Sequence, residues 1–193
     1  MTEVPPPLVF PLGLDDLARE ADVLEDDAAA LLDGLTDAQA NWRPSPRAWS
    51  IAQCVDHLAV TQNAYLSAIE PVLAGAVRVP AGTTPRVAPG WFGLWFVRQM
   101  EPPVKMRFPA PRKIVPASHR SPEEAGGAFH ASLDRLRRTM HAAARLDVNR
   151  VRFPNPFAPI RFTVGTGLAV MVAHDRRHLW QAWTVRRSPG FPA

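Results

Sequence analysis

The sequence predicts an all-α fold, an antiparallel four-helix bundle with a long Pro-rich connection between its second and third helices. Three observations carry that prediction. Four segments repeat apolar residues at steps of three and four, the signature of helices with one buried face. No segment alternates apolar and polar residues as a half-buried strand would. The chain also holds 21 prolines, many gathered between the periodic segments, where they forbid helix continuation. At 193 residues, with 47% hydrophobic and 21% charged, the chain reads as one globular domain over 1–193 with enough length for a substantial core.

The first helix is expected from Gly13 to Gly34, where Leu17, Ala21, Leu24, Ala28 and Leu31 share a face and acids fill the others. Gly34 and Thr36 mark its end. Two prolines in N-W-R-P-S-P-R-A-W-S then keep the chain out of helix. Ser50 opens the second helix, and Gln53 three residues later completes a capping box. Its apolar stripe is Ile51, Leu58, Tyr65 and Ile69, and Pro71 disrupts the last turn. A Pro- and Gly-rich passage follows from Gly75 to Ala117, with a short helix suggested at Gly90 to Glu101. A passage of this length in a compact domain more often covers a site than merely joins two elements. The third helix starts at Ser121, with Pro122 at the first helical position and Glu123 and Glu124 facing the helix dipole. The fourth runs from Val164 to Arg187.

Composition excludes several classes. No apolar run approaches the roughly 20 residues needed to span a bilayer, so no membrane partner is expected. The N-terminal M-T-E-V-P-P-P-L-V-F-P-L has neither the basic start nor the apolar stretch of a secretory signal, and the protein is read as cytoplasmic. Cys54 is the only cysteine, so no intrachain disulfide can form. The net charge is +4, but the arginines are dispersed, and the pairs Arg137-Arg138, Arg176-Arg177 and Arg186-Arg187 read as solvated surface rather than as a nucleic-acid footprint.

The chemistry is expected at His174 and His178, an H-x-x-x-H pair in the fourth helix. Residues four apart on a helix share a face, with Cβ atoms about 5–6 Å apart. Two imidazoles so placed can reach one ion at about 2.0–2.1 Å each. Thr163, Gly167, Val170, Met171, Gln181 and Val185 fall on the same side, so the pair points inward, where an imidazole needs a partner. His57, on the second helix among Gln53, Cys54, Thr61 and Ala64, is the third candidate. Three histidines would leave coordination positions open, the pattern of a catalytic rather than a structural metal site. His119, His130 and His141 fall on loops or outward faces and are not expected to bind metal.

W-R-P-S-P-R-A-W-S-I-A-Q-C-V-D-H-L, followed at long range by H-D-R-R-H-L-W-Q, resembles the DinB-like superfamily of metal-dependent enzymes. Its members pair W-S-I-x-x-x-x-x-H-L on the second helix with H-x-x-x-H-x-x-Q on the fourth. The resemblance extends over nearly the whole chain, including a P-x-K-x-x-x-P type passage at Pro111 to Pro116. It implies a four-helix bundle in which His57, His174 and His178 bind a divalent ion, commonly zinc or nickel. It also implies a reaction class, since characterised relatives include thiol-dependent S-transferases and a mycothiol-dependent isomerase.

Three functions are therefore weighed. The first is a thiol-dependent S-transferase acting on a small electrophile, with a low-molecular-weight thiol as co-substrate. The second is a metal-dependent small-molecule hydrolase, in which Asp175 would take the place of the glutamate of H-E-x-x-H. The third is a non-enzymatic metal-binding stress-response module. Gln181, one turn beyond His178, is a candidate for contact with a bound water or substrate. Asp56 and Asp175 each flank a histidine but point roughly 100° away, and read as solvated surface acids. Cys54 reads as a small buried residue, and Trp42 and Trp49 as packing around the proline turn. Trp91, Phe92, Trp95 and Phe96 either line a pocket or seat the middle passage on the bundle. Opposite the histidines, Leu168, Val172, Leu179 and Trp183 form a second apolar stripe, to be covered by that passage or by a second copy in a homodimer.

Overall fold

The structure is a computed structural model that describes residues 4–80, 82–104 and 114–193. Four long helices build it: α1 (Leu14–Leu32), α3 (Ile51–Leu73), α5 (Pro122–Ala143) and α6 (Val164–Arg186). Two short ones accompany them, α2 (Asp37–Asn41) and α4 (Trp91–Met100). The helix starts are set by side chains that satisfy free backbone N–H groups. Ser50 accepts from the Gln53 N–H and Ser121 from the Glu124 N–H, each within a reciprocal capping box. Thr36 does the same for Gln39, so the residue expected to end the first helix in fact starts α2. Pro71 does not break α3 where it stands. Helix continues to Leu73, although the Pro71 ring has no N–H to bond the carbonyl of Ser67.

Cross-helix contacts fix the directions of the four long helices. Along α1 and α6, Arg176 meets Glu20, Trp183 meets Asp27 and Arg186 meets Leu31, so the two run parallel. Along α3 and α5, Arg135 meets Asn63 and Thr139 meets Glu70, and these too are parallel. Along α3 and α6 the numbers run oppositely, with His57 against His178, Gln62 against Asp175 and Ile69 against Gly167. α1 and α5 are likewise antiparallel, Asp22 meeting Arg137 and Leu32 meeting Gly126. Around the bundle the order is α1, α5, α3, α6, with parallel and antiparallel neighbours alternating. This corrects the all-antiparallel expectation. A parallel neighbour requires the chain to travel back along the bundle, about 34 Å for a helix of this length at 1.5 Å per residue. The passage between α3 and α5 makes that journey, carrying α4 along α6.

Four strands of two or three residues, missed by periodicity because they are too short to alternate, form two antiparallel ladders. β1 (Leu12–Gly13) pairs with β2 (Arg86–Val87), and β3 (Arg152–Pro154) with β4 (Arg161–Thr163). Phe153 and Phe162, opposite one another on β3 and β4, are buried.

α6 is the most enclosed element. Leu168, Val172 and Leu179 are buried, and Trp183 donates its indole N–H to Asp27 on α1 at 2.8 Å. The stripe opposite the histidines is thus covered within the chain, by α1 and α4. On the other side Gly167 permits close packing. A Cβ there would lie 2.6 Å from the Phe153 ring and 3.2 Å from Ile69 of α3. That approach draws α3 and α6 together along the seam that carries the histidines.

Candidate metal centre

His57 enters the seam from α3, one turn and a half beyond its capped start, and His174 and His178 enter from consecutive turns of α6. The three converge. The Nε2 atoms of His57 and His174 are 3.3 Å apart, and one nitrogen from each of the three lies within 4.8 Å of the others. Two ligands at about 2.0–2.1 Å from one ion, at a tetrahedral angle, would be separated by about 3.3 Å. Ring centroids are 5.1 Å apart for His57–His174, 4.8 Å for His57–His178 and 4.5 Å for His174–His178.

Burial disfavours the charged form of all three rings, and repulsion from neighbouring imidazoles adds to it at His174 and His178. His57 is held below the usual imidazole range by desolvation, partly offset by its bond to the Ile114 carbonyl and by the nearby Asp56 carboxylate. His174 and His178 are pushed well below it by desolvation, by the other imidazoles and by the Arg177 guanidinium. Neutral rings with free lone pairs are what a metal needs. His57 Nδ1–H donates to the Ile114 carbonyl at 2.7 Å, which leaves its Nε2 as the acceptor facing His174. The buried Nδ1 of His178 has no hydrogen-bond partner among the described residues. A donor set of three neutral imidazoles, one tautomer fixed from behind and one nitrogen unpartnered, fits a divalent ion.

Several surrounding residues differ from the sequence expectation. Asp56 is buried, not solvated: one oxygen accepts from the Ala117 N–H at 2.9 Å and the other from Arg120 Nε at 3.2 Å. It therefore pins the chain just beyond Ile114, whose carbonyl orients His57. Helical geometry correctly denied Asp56 a direct contact with its neighbour but could not show a contact through another segment. Asp175 is fully buried as well. Gln62 donates to its Oδ2, its Oδ1 has no partner, and desolvation raises its pKa well above the carboxylate range. It stands outside the histidine cluster.

Arg176 and Arg177 are buried rather than solvated. Arg176 pairs with Glu101 and Glu20, and Arg177 donates to the Gln99 carbonyl at 2.7 Å. Both thus fix the end of α4 against α6. Trp49, expected only to pack, is a wall of the site. Its ring stacks on His178 at 5.6 Å and tilts against His57 at 4.7 Å. The signal was its place, one residue ahead of the Ser50 cap, which points the ring back over the first turns of α3. Trp42 packs against Phe191 instead.

Gln181 lies within hydrogen-bonding reach of His178. Cys54 is buried, its thiol pushed up to about 12 by desolvation, and it is not in the cluster. His119, His130 and His141 are exposed and apart from it. Of the Pro111 to Pro116 passage, residues 111–113 lie outside the described residues. Trp91, Phe92 and Trp95 are exposed, while Phe96 is half-buried with its ring 5.1 Å from that of Phe162.

Comparison with known proteins supports the same architecture. None of the curated proteins matches in sequence. Among solved structures, YfiT from Bacillus subtilis, described as a probable metal-dependent hydrolase with an unusual four-helix bundle topology, superposes with a TM-score of 0.58. The two are 15% identical, and the match covers 90% of this chain and 86% of YfiT. The profile of the DinB superfamily matches residues 20–182, a span that contains all three histidines, and the chain belongs to that superfamily.

Proposed function

We propose that this protein is a metal-dependent enzyme in which His57, His174 and His178 bind one divalent ion, zinc or nickel, and that it transfers a low-molecular-weight thiol to a small electrophile. The observation that supports this reading is the donor set itself: three uncharged imidazoles with no carboxylate among them. An ion so held keeps its full positive charge and supplies the means to deprotonate a bound thiol or water near neutral pH.

The chain's own residues do the rest. The Ile114 carbonyl holds the His57 tautomer that offers Nε2, and Trp49 shields two of the imidazoles from water. Gln181 is placed to orient a group beside His178. In the transfer the thiolate sulfur bonds to the electrophilic carbon, the leaving group departs with the electron pair, and the thiol proton passes to solvent. That sequence needs no protein carboxylate, which suits a cluster that has none.

A second reading, a small-molecule hydrolase, is favoured by the description of YfiT. The same three histidines would serve it, with water as nucleophile. The version in which Asp175 acts as base does not fit, because that carboxyl is buried against Gln62.

Protein purified without added metal should contain about one equivalent of zinc or nickel. His178→Ala should lower metal affinity by at least roughly tenfold. Metal-dependent loss of thiol with a model electrophile supports the transferase. Ester or amide turnover without thiol loss supports the hydrolase, and a metal-loaded protein inert in both assays would sink both readings.

A further inference from the structure

Two stretches of the sequence carry no acid at all, from Glu70 to Glu101 and from Asp147 to Asp175. The first holds Arg78, Arg86 and Arg98, the second Arg150, Arg152 and Arg161, and all six are exposed. The fold puts these stretches side by side. Arg78 bridges to Leu146, the Asn149 side chain bonds the backbone of Arg86 and Ala88, and Phe162 of β4 packs against Phe92 and Phe96 of α4. Of the six arginines only Arg150 has an ion pair, with Asp147 at 3.3 Å, among the described residues. Of the acids flanking these stretches and the β1–β2 ladder, Glu70 is bound by Arg135 and Asp16 by Arg19, while Asp15 is exposed two residues beyond β1.

From this arginine-rich face rises a ridge of aromatic rings. Trp91 is 85% exposed, Trp95 45% and Phe92 39%. Their rings rest on one another, Trp91–Phe92 at 5.9 Å and Phe92–Trp95 stacked at 5.9 Å. Arg98 follows Trp95 by three residues, so it prolongs the same helical stripe. Large aromatics left in water at one place mark a contact surface rather than scattered surface residues.

We propose that this face docks on an anionic lipid bilayer, with Trp91, Phe92 and Trp95 seated among the headgroups and the surrounding arginines on lipid phosphates. Charge complementarity selects this occupant. Indole rings favour the interface, where an apolar body and a polar N–H both find their medium, and exposed arginines add attraction to anionic lipid. A second copy of the chain fits worse, because two-fold pairing would set these arginines against their own counterparts. Single-stranded nucleic acid fits worse too, since it needs splayed rings along a groove, and these rings are stacked together on a ridge. No helix among the described residues is long and apolar enough to cross a membrane, and surface docking requires none.

The test is co-sedimentation of the full chain with phosphatidylcholine vesicles, with and without phosphatidylglycerol, alongside indole fluorescence. Binding should occur to the anionic vesicles, weaken with added salt and shift the emission to the blue. Trp91→Ala with Trp95→Ala, and separately Arg86→Gln with Arg98→Gln, should each weaken it by roughly tenfold. Circular dichroism should be unchanged, because none of the four residues is buried. Failure to bind anionic vesicles, or unchanged affinity in both double variants, overturns the proposal. So does tighter binding to an oligothymidylate than to vesicles, or a dimer in sedimentation that Trp91→Ala dissolves.

Discussion

Asp56 and Asp175 occupy equivalent places, each beside a histidine of the seam, yet the fold treats them in opposite ways. Asp56 has both oxygens bonded, to a backbone N–H and to an arginine. Asp175 has one oxygen bonded to a neutral amide and one bonded to nothing. A buried carboxylate stays ionised only where donors or cations replace its lost water. Asp56 is bonded on both oxygens and acts as a clamp across segments. Asp175 lacks a partner on one oxygen among the described residues, and burial raises its pKa well above the usual carboxylate range, so it serves as a filler between α3 and α6. A carboxylate beside a ligand in sequence is therefore no guide to its chemistry; the segment packed on top of it decides.

Substitutions at the two acids and the seam between them can break or sharpen that contrast. The largest effect is expected from Asp56→Asn, which keeps the size of the side chain but loses its charge and an acceptor. If Asp56 positions His57 through Ile114, metal affinity should fall by about 10–100-fold, the usual cost of losing a partner behind a ligand. Titration calorimetry reads it, and an unchanged affinity would remove Asp56 from the site. Gly167→Ala pushes a methyl into the Phe153 ring and should cost about 1–3 kcal/mol by denaturant unfolding, the range for overpacking. Because α3 and α6 must part, it should weaken metal binding too, although it touches no histidine.

Next comes pH. The folded imidazoles are depressed below the unfolded value of about 6.5, so below that pH the unfolded chain binds more protons. Stability of the metal-free protein should therefore decline as pH falls from about 6.5 towards the lower folded values, and be flat just above. Thermal melts across that range in chelator should show the slope, reduced in His174→Gln.

The smallest effect is expected at Asp175→Asn. An amide of the same size replaces a carboxyl whose charged form burial disfavours, and the new amide can donate towards the unpartnered Oε1 of Gln62, so stability should change by less than about 1 kcal/mol. Turnover should persist once an assay exists. Loss of activity with metal still bound would mean that Asp175 is ionised during catalysis, and the contrast with Asp56 would collapse.

Much of this was legible beforehand, for local reasons. The capping box at Ser50, the helix start at Ser121, the apolar stripes of α1 and α3, and the inward side of α6 depend on residues within a few positions of each other, and the structure keeps them. The same holds for His174 and His178, whose shared face follows from helical pitch alone. What failed failed over distance. Asp56, Arg176 and Arg177 looked solvated because their partners, Ala117, Arg120, Glu101 and Gln99, arrive from 60 to 80 positions away. The aromatic run at Trp91 was expected to line a pocket or to seat the middle passage on the bundle, whereas three of its four rings are exposed.

By itself the sequence determined where helices begin, which residues turn inward and which three histidines are available to one ion. Those properties rest on backbone geometry and on the hydrophobic effect, both of which act through near neighbours. Only the tertiary structure decided that α3 and α5 run parallel, that Trp49 roofs the histidines, and that two acid-free stretches share one face. Each depends on how separate elements are set against one another, and many arrangements satisfy the same pattern of buried and exposed positions. The close approach at Gly167 and the clamp at Asp56 choose among them.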